Sequence, residues 1–515
     1  MKIIASRKYV EFAVIAGLVL TVLLLMLAAD LRMLKPLYLT GFYLAVIALA
    51  VFYSTPAGLF ILLFLGFAGQ QLVELGANPD IIYIWDYVVI LLFLKALFLR
   101  FNRSKKLVLK GIVPMTGIII VLALSFNFNQ TDLLSTLLFG RYLLIGYGLF
   151  LAVLNLDMTP REINFILWTI VVFFLIQIPA SVIKLFIFGQ SEHTVGTFGF
   201  SPGELGVLVP LFATSFLLAF YLYDPGRRPL YIFLIFGYIA FSLMAEKRAF
   251  IFFLPILFLF LLFIASEKRA RLKIRMLGVS IVVFLIAGYF IPRLNPSMNP
   301  QNAVWGEFDL GYLFNYVQRY TNLHDPQGRS MGRLATTQRT VENIRAFNAH
   351  KILLGDGPGK FINSGLIYSD MNESKFAYDI EDGITGFTWV TLQIGLLGMV
   401  IYLFFFLILC YYIWGIYKNT EIRSLKILGL GLLGGAFVFL LDTMVYSKAF
   451  MSGRHLSMVF FIVSAIYLKS KFSFGFGARK HAVQAADYPA AVYPAAEYPA
   501  FPAEIEPPQL GETDV

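Results

Sequence analysis

About fourteen apolar runs, most of them long enough to cross a lipid bilayer as a helix, occupy most of this 515-residue chain. A crossing helix needs about 20 apolar residues. No other feature restricts the fold as strongly. Hydrocarbon offers no water to backbone N–H and C=O groups, so each run must satisfy its own, and helices packed side by side are the solution. The runs are Phe12–Ala29, Leu37–Tyr53, Ala57–Val73, Ile81–Leu99, Val108–Phe126, Leu137–Leu154, Ile163–Phe188, Glu204–Tyr223, Leu230–Met244, Ala249–Ala265, Ile274–Ile291, Ile384–Ile416, Leu425–Val445 and Leu456–Leu468. Two of them, Leu230–Met244 and Leu456–Leu468, are short. Only 14% of the residues are charged, against about 25% in soluble domains. The predicted fold class is all-α, a polytopic membrane helix bundle with about fourteen transmembrane helices and one long external loop.

The net charge of +10 invites a nucleic-acid reading, but its placement is a topology signal. Lysine and arginine collect at Arg100–Lys110, Arg227–Arg228, Lys268–Arg275, Lys418–Lys426 and beyond Lys469. Assigning these connections to the cytoplasm puts both termini there and residues 292–383 outside. Asp30–Pro36 is the awkward loop, external yet holding Arg32 and Lys35. The chain divides into N-terminal helices (1–291), the long loop (292–383), C-terminal helices (384–470) and a tail (471–515). Phe12–Ala29 is long for a signal-peptide core and reads as an uncleaved first helix. The single cysteine, Cys410, excludes an internal disulfide. In the tail, Tyr-Pro recurs every five residues from Tyr488 to Pro499. Proline at that density favours an extended, solvated chain, either plain tail or a docking segment.

Candidate site residues lie at the outer ends of helices. Arg141, one turn inside Leu137–Leu154, is either an arginine snorkelling to the interface or an anion ligand facing the bundle. The same two readings apply to Lys184. Lys247 and Arg248 occupy a very short external turn, against the usual charge bias, and Glu246 beside them offers internal pairing. Lys448, Arg454 and His455 fill the last external turn. His193 begins an irregular stretch, His193–Gly203, rich in glycine.

In the long loop, 330–350 reads as one helix. Arg329 and Arg333 share a face if that helix has already started, and two guanidiniums suit a diphosphate. A solvated basic face is the alternative. Gly355-Asp356-Gly357-Pro358-Gly359 is a tight turn, lacking both the Walker and dinucleotide fingerprints. Asp379, Glu381 and Asp382 precede the run from Ile384. They either complement a helix dipole or supply a general base. No histidine/cysteine spacing calls for a metal, and no cofactor is expected.

The order of these features resembles the O-antigen ligase/polymerase superfamily, which includes WaaL-type ligases and Wzy-type polymerases. The resemblance rests on Thr197-Phe198-Gly199, the basic turn Lys247-Arg248, Gly332-Arg333 opening a loop helix, Leu354-Gly355-Asp356-Gly357-Pro358-Gly359-Lys360-Phe361, and Leu392-Gln393-Ile394-Gly395-Leu396-Leu397-Gly398. It covers roughly Arg141 to Leu468. It implies a GT-C-like, metal-independent, inverting glycosyltransferase using an undecaprenyl-diphosphate-linked glycan, with arginines on the diphosphate. Matched by position, Lys247-Arg248 and Arg333 take that role, Arg141 more loosely. The family usually carries a His-Asn pair ahead of Gly-Leu-Leu-Gly. Here the corresponding stretch runs Glu381-Asp382-Gly383-Ile384 with no histidine, so the base expected is Asp382, Glu381, His350 or His455. The implied setting is the bacterial inner membrane, beside other polysaccharide-assembly proteins and without nucleic acid. The expected activity is polymerisation of lipid-linked units. A ligase passing glycan to lipid A core or protein, and a flippase or solute transporter, are the alternatives.

Overall fold

The structure, a computed structural model, describes residues 36–77, 81–102, 107–189, 194–199, 204–247, 249–265, 299–322 with two gaps, 333–346, 348–360, 384–452 and 455–473, besides a few isolated positions. Among the described residues there are helices and no strands. Of the helices among the described residues, eight are long and apolar enough to cross a membrane, and three shorter apolar helices accompany them.

The N-terminal helices are α1 (Pro36–Tyr53), α2 (Thr55–Glu74), α3 (Ile81–Asn102), α4 (Ile112–Asn129), α5 (Leu133–Asn155), α6 (Pro160–Phe188), α7 (Leu205–Tyr223), α8 (Arg228–Met244) and α9 (Ala249–Ala265). The long loop contributes α10 (Leu310–Asn322), α11 (Arg333–Ala346) and α12 (Ala349–Leu354). Then follow α13 (Gly386–Asn419), α14 (Arg423–Leu441) with a π turn at Asp442–Tyr446, α15 (Ala449–Ser452) and α16 (Leu456–Ser473). The expected runs Phe12–Ala29 and, for the most part, Ile274–Ile291 lie outside the described residues, as does the Tyr-Pro tail. The single loop helix expected over 330–350 is two. Asn348 is extended (φ −65°, ψ 158°) and caps α12 as a separate element.

Local chemistry sets the helix ends. Asp132 caps α5, its carboxylate accepting from Ser135 N at 2.8 Å. Thr159 and Glu162 form a reciprocal capping box on α6, as Thr385 and Thr388 do on α13. In the core, α7 lies along α14. Gly431 and Gly435, one turn apart, admit the Phe216 and Phe212 rings, and Ser215 Oγ donates to Gly431 O at 3.0 Å. Small residues at this spacing let membrane helices approach closely where lipid supplies no hydrophobic drive. Below, the outer end means the end that the lysine and arginine pattern assigns to the outside.

Candidate functional site

The glycine turn of the long loop and the glycine motif of α13 form one structure. At Ile394 and Gly395 the α13 backbone leaves helical geometry, Gly395 taking φ 74° and ψ −179°. A break strands the carbonyls before it, and at membrane depth they need protein donors. The turn supplies them. Asp356 N donates to Leu392 O at 2.7 Å and Gly357 N to Gln393 O at 3.2 Å. Gly359 N donates to Gln393 Oε1 at 2.8 Å. From α4, Asn129 Nδ2 reaches Gly355 O at 3.2 Å and Ser125 Oγ reaches Gln393 O at 3.3 Å. The backbones are too close for side chains, since a Cβ at Gly395 would strike the Leu353 carbonyl and one at Gly355 the Gln393 carbonyl. These N–H groups are spent inside the protein and hold no phosphate. On the turn, Asp356 accepts from Lys351 Nζ at 2.6 Å and from Lys360 Nζ. Burial pushes its carboxyl up, but the two ammonium groups outweigh burial and hold it below the ordinary aspartate value.

A second outer loop, around Thr197-Phe198-Gly199, is cradled by a polar stripe on α6. Gln177, Ser181 and Lys184 are spaced to share a helix face, and all three are buried. Gln177 Oε1 accepts from Thr197 N at 2.8 Å, and its Nε2 donates to Thr197 Oγ1 at 2.9 Å. Ser181 Oγ accepts from Gly196 N at 2.7 Å and donates to Thr194 O at 2.9 Å. Lys184 Nζ donates to Gly199 O at 3.1 Å. Lys184 therefore neither snorkels nor stands open to an anion. It terminates the stripe.

The structure places Arg141 deeper than the sequence does. Because Asp132 starts α5 a turn earlier than expected, Arg141 lies about 12 Å inside the helix. It pairs with Asp86 of α3 at 2.9 Å, the side chains 18% and 13% exposed. Its guanidinium also lies 4.9 Å from the Tyr142 ring centre and 5.8 Å from that of Tyr83. Arg333, the first residue of α11, donates through Nε to Tyr446 O and covers the Tyr446 ring at 4.3 Å.

Arg141 and Arg333 are each linked to the first turn of α13 through a tyrosine. Beside Arg141, the Tyr142 ring meets Trp389 at 5.8 Å. Beyond Tyr446, Ser447 O accepts from Gly386 N at 2.9 Å. Lys247 is half-buried, with its side chain laid across Gly206 at the start of α7. His455 turns Nδ1 toward Gly66 O and its ring edge-on to Phe198 at 5.3 Å. An imidazole that donates from Nδ1 keeps its basic nitrogen at Nε2. His350 is exposed on α12. Asp382, Glu381, Arg248, Arg329, His193 and Arg454 lie outside the described residues, although α9 begins directly after Arg248.

Sequence reasoning missed three participants: Asp86 as the partner of Arg141, Gln393 as the receiver of the glycine turn, and the α6 stripe. Only the last had a signal in the sequence, three polar residues at helical spacing that define a face. The arrangement offers two fixed guanidiniums, Arg141 held by a carboxylate and aromatic rings and Arg333 by a ring and a backbone carbonyl, forks suited to a phosphate ester anion. Comparison of the sequence with protein-family models and with curated proteins found no match.

Proposed function

We propose that this chain is a GT-C-like membrane glycosyltransferase that lengthens a surface polysaccharide from undecaprenyl-diphosphate-linked units. One observation supports the reading most. Arg141 and Arg333, far apart in sequence, each lie against a tyrosine, and the Tyr142 ring and the residue after Tyr446 both touch the first turn of α13. In this reading they neutralise the diphosphate, with Lys247, Arg248 and Arg329 as further ligands. A hydroxyl of the second lipid-linked unit attacks the anomeric carbon. The bond from that carbon to the diphosphate oxygen breaks with inversion, and a base takes the hydroxyl proton. Asp382 and Glu381, just ahead of α13, are the first candidates for that base, and His350 the next. The protein acts in the bacterial inner membrane with both termini cytoplasmic, beside other polysaccharide-assembly proteins.

Neutralising a departing diphosphate stabilises developing charge, so removing either guanidinium lowers the rate by about 10²–10³. The test is complementation of a deletion strain, read as a glycan ladder on a gel. Arg141→Ala and Arg333→Ala should leave single lipid-linked units in place of polymer. Unchanged ladder length and yield in both variants would refute the site. Accumulation of long lipid-linked polymer would make the protein a ligase.

A further inference from the structure

Arg141 is an expensive residue to keep. It lies two helical turns inside an apolar helix, its Nε is buried without a partner among the described residues, and its one ion pair uses a single terminal nitrogen. A guanidinium carries five N–H donors in a planar fork. Arginine–carboxylate pairs are frequently bidentate, with two of these donors on both carboxylate oxygens. Here Asp86 holds one terminal nitrogen at 2.9 Å, and the Tyr142 and Tyr83 rings brace the guanidinium carbon at 4.9 and 5.8 Å. Asp86 itself sits just after Trp85, a residue fixed by its Nε1 donating to Met458 Sδ of α16 at 3.3 Å and almost wholly buried. The carboxylate is thus mounted on a rigid part of α3, and it orients a fork whose capacity it does not exhaust.

We infer that Asp86 is a positioning residue, which holds the Arg141 guanidinium by one edge so that its remaining donors meet the diphosphate of a lipid carrier. This rests on the glycosyltransferase reading above and adds the residue that sets the geometry of its diphosphate site. The role has a chemical consequence. The pair is neutral before the ligand arrives, so the arginine is tolerated within an apolar helix. The ligand then gains an oriented fork instead of a mobile cation. Glutamate in place of Asp86 keeps the charge and the pairing but pushes the guanidinium outward by one methylene. Asparagine keeps the shape and removes the charge.

The test uses full-length protein in detergent, with radiolabelled undecaprenyl diphosphate as the probe and the melting temperature as a control for folding. Asp86→Glu should melt like the parent yet bind the probe about tenfold more weakly, the low end of what losing the partner that orients a metal ligand costs. Asp86→Asn should weaken binding at least as much. Exchange of the two residues, Asp86→Arg with Arg141→Asp, should melt like the parent and still fail to bind. Parent-like binding in both single variants, with loss in Arg141→Lys, would overturn the positioning role and leave the glycosyltransferase reading standing. Restoration of binding by the exchange would also overturn it, since a purely structural pair works in either direction. Failure of the parent protein to bind the probe would overturn the reading itself and the inference with it.

Discussion

Gly395→Ala is the sharpest test of how the long loop is anchored. The residue sits at φ 74° and ψ −179°, a backbone region open essentially to glycine alone, and an alanine forced there costs about 1–3 kcal/mol. Its Cβ would also strike the Leu353 carbonyl, so the glycine turn must back away. Retreat breaks the bonds from Asp356 N to Leu392 O, Gly357 N to Gln393 O and Gly359 N to Gln393 Oε1. Each is worth about 0.5–1.5 kcal/mol, and water partly replaces them on the turn but less readily on a carbonyl at membrane depth. Strain and lost bonds together come to about 3–5 kcal/mol for local undocking. Since about 1.4 kcal/mol is a factor of ten, amides in the turn should exchange about 10²- to a few 10³-fold faster. Hydrogen-exchange mass spectrometry on peptides covering 353–360 reads this directly. Gly415→Ala, on the same helix and facing open space, is the control and should leave exchange unchanged. If Gly395→Ala leaves protection of the turn intact, the break and the turn are not one unit.

Other consequences follow from the same contacts. Gln177→Ala removes the acceptor for Thr197 N and the donor to Thr197 Oγ1. It should cost about 1–3 kcal/mol through an unsatisfied buried amide, seen as a lower melting temperature and faster exchange at 194–199. Asp356→Asn should weaken the Lys351–Asp356–Lys360 cluster at neutral pH, by at most about 1 kcal/mol because both lysines are solvated. The sign with pH is set by the depressed folded value. The contribution is complete above the ordinary aspartate value and is lost as pH falls from there through the folded one. The parent should therefore lose turn protection in acid, while the asparagine variant, already weakened, should not change over that range.

The helical class and the places of most helices were legible because apolar length is a one-dimensional signal. Runs such as Ala249–Ala265 coincide with the helix found, and Leu37–Tyr53 differs from it by one residue. Helix starts were less legible where polar residues belong to the helix. The Leu133–Thr136 turn looked like loop, yet Asp132 caps it and Thr136 packs inside, which moved Arg141 a full turn deeper. Pairings across the bundle were not legible. Nothing local to Asp86 names Arg141, and nothing in Gly355–Gly359 names Gln393. Each pairing depends on which helices become neighbours, a choice made by side-chain packing across the whole bundle. The two motifs that carried the family resemblance in the loop and in α13 were read as separate signs, and they are the two halves of one contact.

That contact divides the loop into parts with different jobs. A turn whose N–H groups answer the carbonyls of a broken helix has no donors left for a phosphate, whatever its glycine content suggests. The diphosphate work proposed for this protein then falls on side chains, Arg333 at the head of α11 and Arg141 in α5. Arg333 donates to a backbone carbonyl and stacks on a ring, both at Tyr446, so it is placed by α14 and its π turn and not by the glycine turn. The two sets of residues should therefore fail differently. Gly355→Ala and Gly395→Ala should lower stability and activity together, and because they open the same contact their effects should not add. Arg333→Ala and Arg141→Lys should lower activity with a far smaller change in melting temperature. Equal losses of stability from both sets would mean that the arginines are structural, and the proposed diphosphate site would fall with them.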